Sequence, residues 1–304
     1  MRILGILALV AACSGSKSSS NPGGGPGGGD GPDGGAGGSG GAVATPVIPT
    51  PTGTCPTIAN GDVTFAPAGI QPRKVKIAMD ASKTGGPLVL YWYATGSNPN
   101  EAGYALGATE AQITGAGGIV ATPYADPAAG QFEWFIVNKM GSDRQDDFLV
   151  ADEIVGCLAQ AHLIDTTHIH SMGMSAGALQ TTAVSLVRSH WIASVATYSG
   201  GLPMGYPAPQ MQDPSNKFAA LIFDGGPTDN VYNVDFQVAS QAYKMMLDAD
   251  GHYTALCDHN MGHSIPVDAA PSVAKFFADN GFGEWPSPYA SSGLPSSFPT
   301  YCKH

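Results

Sequence analysis

Gly173-Met174-Ser175-Ala176-Gly177 decides how this chain is read. The stretch has the form G-x-S-x-G. In front of it, Thr167-His168-Ile169-His170-Ser171-Met172 suits a short strand, and behind it Ala178 to Val187 suits a helix. A serine on a sharp strand-to-helix turn needs small neighbours on both sides, because a side chain there collides with the adjoining backbone. Gly173 and Gly177 meet that need. Such a turn lifts the hydroxyl out of the sheet and aims the partial positive charge of a helix N-terminus at it. The pentapeptide alone is also a small-residue turn that lets a helix pack on a sheet, so the flanking elements and the partners of Ser175 must carry the argument.

Working outward, strand and helix patterns alternate. Asp62–Phe65 and Arg73–Met79 alternate apolar with polar residues, as half-exposed strands do. Pro87–Tyr93 is a continuous apolar run and predicts a buried central strand, opening into the small-residue loop 94–99. Gly118–Pro123 and Phe132–Ile136 read as further strands. The spacing of Phe148, Val150, Ile154, Leu158 and Ala161 predicts a helix over 146–163, with Asp146 and Asp147 at its favoured acidic start. After the serine come strands over 191–198, 218–223 and 253–258, and helices over 235–249 and 268–279. This alternation predicts an α/β fold: a mostly parallel central sheet with helices on both faces. In such sheets functional groups gather beyond the carboxyl ends of the strands.

Three residues lie there in an informative order. Ser175 follows one strand, Asp229 a later one, and His263 the last. Serine is a poor nucleophile until an imidazole takes its proton, and that imidazole needs a carboxylate to hold its tautomer and stabilise its charge. Ser, then acid, then His is the order of the α/β-hydrolase triad. Ser199, Asp224 and His259 are the competitors. Tyr198 and Thr197 spoil an elbow at Ser199, which reads as a loop residue near the site. Asp224 sits directly after its strand, whereas Asp229 has loop length to reach a histidine. His259 lies nearer its strand and reads as a loop or substrate-contact residue. Asp235 reads as a helix start. His168 and His170 share a strand face, but no third ligand lies near them in sequence, so packing is preferred to metal binding. Trp92, Tyr93, Trp134 and Tyr198 read as core or pocket wall, and 203–214 as a lid or pocket loop.

The domain resembles the secreted α/β-hydrolase esterases grouped with polyhydroxybutyrate depolymerases and feruloyl or acetylxylan esterases. The carriers are Pro87-Leu88-Val89-Leu90 and its loop, the elbow, Gly225-Gly226-Pro227-Thr228-Asp229-Asn230-Val231, and Gly262-His263-Ser264-Ile265-Pro266. The resemblance implies an α/β-hydrolase fold and a Ser175–His263–Asp229 triad acting on esters without a cofactor. It also implies an oxyanion-binding loop after the first central strand. There the family usually has His-Gly, and this chain has Tyr93-Ala94 followed by Thr95-Gly96. Backbone donors do not depend on their side chains, so the N–H groups of Ala94 or Thr95, with that of Ala176, are the expected oxyanion donors.

The ends of the chain speak to location. Residues 1–12 place one charge before a short apolar run, as a secretory signal does. Leu9-Val10-Ala11-Ala12-Cys13 resembles the bacterial lipobox, in which the cysteine is acylated, so Cys13 is the expected lipid anchor to the cell envelope. Residues 13–54, dominated by Gly, Pro and Ser, read as a disordered tether, and 55–304 as one catalytic domain. Cys55, Cys157, Cys257 and Cys302 remain, an even set for two disulfides in an exported chain. We expect Cys55–Cys302 and Cys157–Cys257. No C-x-x-C suggests zinc. The net charge of −11, with 13 Lys plus Arg and no basic cluster, argues against nucleic acid and against electrostatic docking on anionic lipid. The leading expectation is an extracytoplasmic serine esterase whose substrate is a polyester, a feruloyl or acetyl polysaccharide ester, or a small ester. The altered oxyanion loop motivates a second reading, a surface-displayed polymer-binding module without turnover. A peptidase on the same scaffold is a third.

Overall fold

The computed structural model describes residues 45–138 and 144–304. The expected signal peptide, Cys13 and the tether up to residue 44 lie outside the described residues.

β1 (Gly61–Phe65) and β2 (Arg73–Met79) bury alternate residues, as their sequences predict, and pair antiparallel. β3 (Gly86–Trp92) contains five consecutive residues, Leu88 to Trp92, with no exposed surface. Each such side chain contributes about 1.5–3 kcal/mol of burial, so this strand anchors the core. α1 (Glu101–Leu106) and α2 (Ala108–Gly115) lead to β4 (Ile119–Pro123). α3 (Phe135–Asn138) and α4 (Asp146–Gln160) precede the long β5 (Ile164–Met174). α5 (Ala176–Val187), β6 (Ser194–Tyr198) and β7 (Ala219–Asp224) follow. A small hairpin of β8 (Asn230–Val231) and β9 (Val234–Asp235) opens onto α6 (Phe236–Ala249). Asp235 caps that helix, accepting from the Val238 N–H at 3.0 Å. The chain ends with β10 (Tyr253–Asp258), α7 (Ala270–Asp279), α8 (Tyr289–Ser292) and β11 (Cys302–Lys303).

The sheet has nine strands in the order β1-β2-β4-β3-β5-β6-β7-β10-β11. From β4 to β10 every pairing is parallel, while the edge pairings β1–β2, β2–β4 and β10–β11 are antiparallel. The parallel run sends the carboxyl ends of β3, β5, β6, β7 and β10 to one rim, where the candidate site must lie.

Three expectations are corrected. Residues 132–136 contain no strand. Their apolar run is too short to separate strand from helix. Phe135 instead begins α3, its N–H donating to Asp147 Oδ2 at 2.7 Å, while Trp134 packs edge-on against Trp92 and Tyr93. Residues 45–54, assigned to the tether from composition, lie against the domain. The N–H groups of Thr52 and Gly53 donate to the two carboxylate oxygens of Glu153 at 2.7 and 2.9 Å, and Val47 N–H donates to His190 O. A Cβ at Gly156 would stand 2.6 Å from Pro49 O, so this glycine is what lets the arm lie on α4. The disulfides, finally, are Cys55–Cys157 and Cys257–Cys302 rather than Cys55–Cys302 and Cys157–Cys257. The arm carries Cys55 across α4 to Cys157, and β11 returns antiparallel to β10 with Cys302 directly opposite Cys257. Both neighbour relations are tertiary, and spacing along the chain does not reveal them.

Candidate active site

Ser175 sits between β5 and α5 with φ 56° and ψ −120°. This left-handed region is costly for any residue with a side chain, by about 1–3 kcal/mol, and persists only where the surroundings enforce it. The two glycines are part of that enforcement. A Cβ at Gly177 would stand 1.9 Å from Trp92 O, and one at Gly173 would stand 2.5 Å from both Trp92 O and Gly177 O. Only glycine lets the elbow close this tightly on the end of β3.

His263, in the loop after β10, reaches across the rim. Its Nε2 lies 2.8 Å from Ser175 Oγ and its Nδ1 2.6 Å from Asp229 Oδ1. Asp229 follows the short 3₁₀ turn Gly226–Thr228 after β7 and is fully buried. Burial opposes its ionisation. The hydrogen bonds from His263, from the Gly225 N–H at 2.8 Å and from the Ser199 hydroxyl at 2.7 Å outweigh it and hold the carboxyl below its ordinary range. A hydroxyl, an imidazole and an ionised carboxylate therefore form one hydrogen-bonded relay, from residues 34 and 88 positions apart in the chain.

The competitors take other places. Asp224 is buried and its Oδ1 accepts the Gly226 N–H at 3.0 Å, so it shapes the turn that carries Asp229 and does not meet His263. His259 is buried, with Nδ1 accepting the Met261 N–H at 3.2 Å. Ser199, read from sequence as a nearby loop residue, is bonded directly to Asp229. The signal in the sequence was its position just after the strand over 191–198; that this strand lies between β5 and β7 is a tertiary fact. His170 stacks on Phe277 at 4.5 Å with Nδ1 2.9 Å from Ser194 Oγ, and His168 Nδ1 lies 2.8 Å from Asp165 Oδ2. Among the described residues no group of three or more His, Cys, Asp or Glu is placed to hold a metal ion. Trp92, Tyr93, Trp134 and Tyr198 are all core residues.

The expected oxyanion donors separate. The Ala94 N–H is taken: it donates to Glu101 Oε1 at 3.0 Å, as does the Tyr91 hydroxyl at 3.0 Å. Its expected role is corrected on that ground, because a donor held by a carboxylate is not free for an incoming oxygen. Thr95 and Ala176 both line the cleft at Ser175, and within the described chain neither backbone N–H has a hydrogen-bond acceptor. In place of the His-Gly that the resemblance implies, the loop is fixed by two carboxylates. Glu101 holds Ala94, and Glu133 Oε1 holds the Gly96 N–H at 2.9 Å, leaving Thr95 between two tethered residues.

The cleft is apolar. Phe132, Leu179, Val231 and Phe236 stand around Ser175, and Pro203 and Tyr206 form one wall, as expected for the 203–214 loop. Met204, Tyr206 and Tyr232 expose large apolar surfaces around an adjoining groove.

No family model matches the sequence, and no curated relative does. Solved structures are similar in shape. The native form of a protein designated pOPH superimposes with a TM-score of 0.64 at 16% identity, covering 82% of this chain and 96% of that one. Native sOPH gives 0.63 at 15% identity, over 84% and 97%. A thermostable esterase gives 0.58 at 14% identity, over 72% of this chain and 62% of that one. Identities this low speak to the fold. Sheet order, elbow and these likenesses together give the chain the α/β-hydrolase fold that its sequence led us to expect.

Proposed function

We propose that this chain is an extracytoplasmic serine hydrolase of carboxylic esters. The observation that carries the reading is the continuous relay from Ser175 Oγ through His263 to Asp229. Ser175 attacks the ester carbonyl while His263 Nε2 takes its proton. Asp229 keeps the His263 Nδ1 proton in place and stabilises the imidazolium. The N–H groups of Thr95 and Ala176 receive the oxyanion, helped by the N-terminal dipole of α5. His263 then protonates the leaving alcohol, and a water activated by the same imidazole releases the acyl group. No step needs a cofactor. The apolar cleft and its rim suit an uncharged, apolar ester. Two disulfides fit an oxidising compartment, and among the described residues no helix is long and apolar enough to cross a membrane. Attachment to the envelope through acylated Cys13 belongs to the same proposal, as does a polymeric substrate. The likeness in fold to an esterase supports the class of reaction.

A fluorophosphonate probe should label the wild-type protein, and a panel of p-nitrophenyl esters should be hydrolysed. Ser175→Ala should lose both. Labelling that persists in Ser175→Ala, or a wild-type chain inert to the probe and to every ester, would overturn the proposal.

A further inference from the structure

We infer that Ser199 is a positioning residue of the active site, acting on His263 through the outer oxygen of Asp229. The inference rests on the hydrolase reading above.

Asp229 presents Oδ1 to His263, so the other oxygen decides how the carboxylate is turned. Oδ2 has two donors. One is the Gly225 N–H at 2.8 Å, from the turn that carries Asp229 itself. The other is the Ser199 hydroxyl at 2.7 Å, from the end of β6. The first lies four residues before Asp229 on the same segment of chain. The second comes from a different strand, and Ser199 N–H is itself bonded to Phe223 O at 2.9 Å on β7, so the hydroxyl ties the carboxylate across to the end of β6. Ser199 has no exposed surface, so no water stands in for its hydroxyl from outside.

The backbone supplies an independent observation. Ser199 has φ 53°, in the left-handed region that glycine occupies without cost. Two glycines follow immediately, Gly200 and Gly201. If this corner only had to turn the chain, glycine would be the relaxed choice at 199 as well. A serine here carries backbone strain, and the hydroxyl on Asp229 Oδ2 is what glycine would lack.

Removing that hydroxyl takes one hydrogen bond from a buried anion. The carboxylate is then freer to rotate away from His263. The titratable groups around Asp229 are His263 and His259 from the loops after β10, Asp258 from β10, Asp224 from β7, and Asp235 at the start of α6. None of them is hydrogen-bonded to the Ser199 hydroxyl, so their influence is common to wild type and variants.

The test uses Ser199→Gly and Ser199→Ala in the full chain. The readouts are the second-order rate of fluorophosphonate labelling of Ser175, kcat and KM on a p-nitrophenyl ester, and the thermal midpoint. Ser199→Gly relieves the backbone and removes the whole hydroxymethyl group, whereas Ser199→Ala removes the hydroxyl alone. We expect Ser199→Gly to fold with a midpoint near wild type, and to label roughly ten- to hundredfold more slowly, the range for one hydrogen bond to a charged group. The loss should fall on kcat rather than KM. Ser199→Ala should show the same kinetics with a lower midpoint. Variants that label at the wild-type rate, or that lose only in KM, would overturn the role of Ser199 while leaving the hydrolase reading intact. A wild-type chain that the probe does not label would overturn that reading, and this inference with it.

Discussion

Glu101 should prove to be the residue that makes an oxyanion loop without His-Gly work. Its Oε1 accepts both the Ala94 N–H and the Tyr91 hydroxyl at 3.0 Å, and burial raises the pKa of its carboxyl. Glu101→Ala removes the acceptor of two donors at once. Each donor left unsatisfied costs about 1–3 kcal/mol, so the variant should lose roughly 2–6 kcal/mol of stability. The Tyr91 ring is fully buried, which favours the upper half of that range. The same change frees the backbone next to Thr95. Loss of one oxyanion donor costs about 10²–10³ in kcat. The Gly96–Glu133 bond still tethers the far side of the loop, so a fall near the lower end of that range is expected. Glu101→Gln keeps a carbonyl oxygen where Oε1 lies and should stay within about 1 kcal/mol of wild type with most of its kcat. Urea denaturation and steady-state hydrolysis of a p-nitrophenyl ester measure the two effects. If Glu101→Ala keeps wild-type kcat while losing stability, Glu101 does not set the oxyanion geometry. If Glu101→Gln is as damaged as Glu101→Ala, the shared acceptor oxygen is not the reason.

Two further outcomes follow from the same structure. The Cys257–Cys302 bridge spans 45 positions and pins β11 to the edge of the sheet, so Cys302→Ala with Cys257→Ala should lower stability by up to about 4 kcal/mol in denaturant; an unchanged midpoint would refute that account. Burial, with Asp258 and Asp229 nearby, pushes Asp224 up to about 6, above the ordinary 3.8. The folded chain then holds a proton that the unfolded chain has released. Stability therefore falls as pH rises from about 4 to about 6, by at most roughly 3 kcal/mol, and the cost persists above that window. Asp224→Asn should gain stability relative to wild type across that interval and level off beyond it, and a difference that does not change with pH would exclude Asp224 as its source.

The elbow and the alternation of strands and helices were legible along the chain, because each rests on local physics; the order Ser175, Asp229, His263 was read from where each residue follows its strand and from the known order of such triads. Two glycines around a serine make sense only where backbone closes tightly, and the structure puts Trp92 O in that space. The continuous apolar run of β3 and the alternating runs of β1 and β2 told buried from half-exposed strands correctly, since burial pattern is a property of a strand and its two faces. The preference for Asp229 over Asp224 came from loop length, and the geometry places Asp229 at the imidazole.

What depended on which segments become neighbours was not written locally. Cys55 and Cys157 meet because the arm crosses α4, and Cys257 and Cys302 meet because β11 returns along β10. Residues 45–54 have the composition of a tether, yet Glu153 and Gly156 on another element give them a place to lie. Ala94 and Thr95 are indistinguishable as donors until Glu101 claims one of them. Ser199 is a serine in a glycine-rich corner until β6 and β7 lie side by side and Asp229 turns toward it. Periodicity and turn chemistry are fixed over a few residues. Pairings between distant segments depend on how the sheet is ordered, and that order is set by the core as a whole.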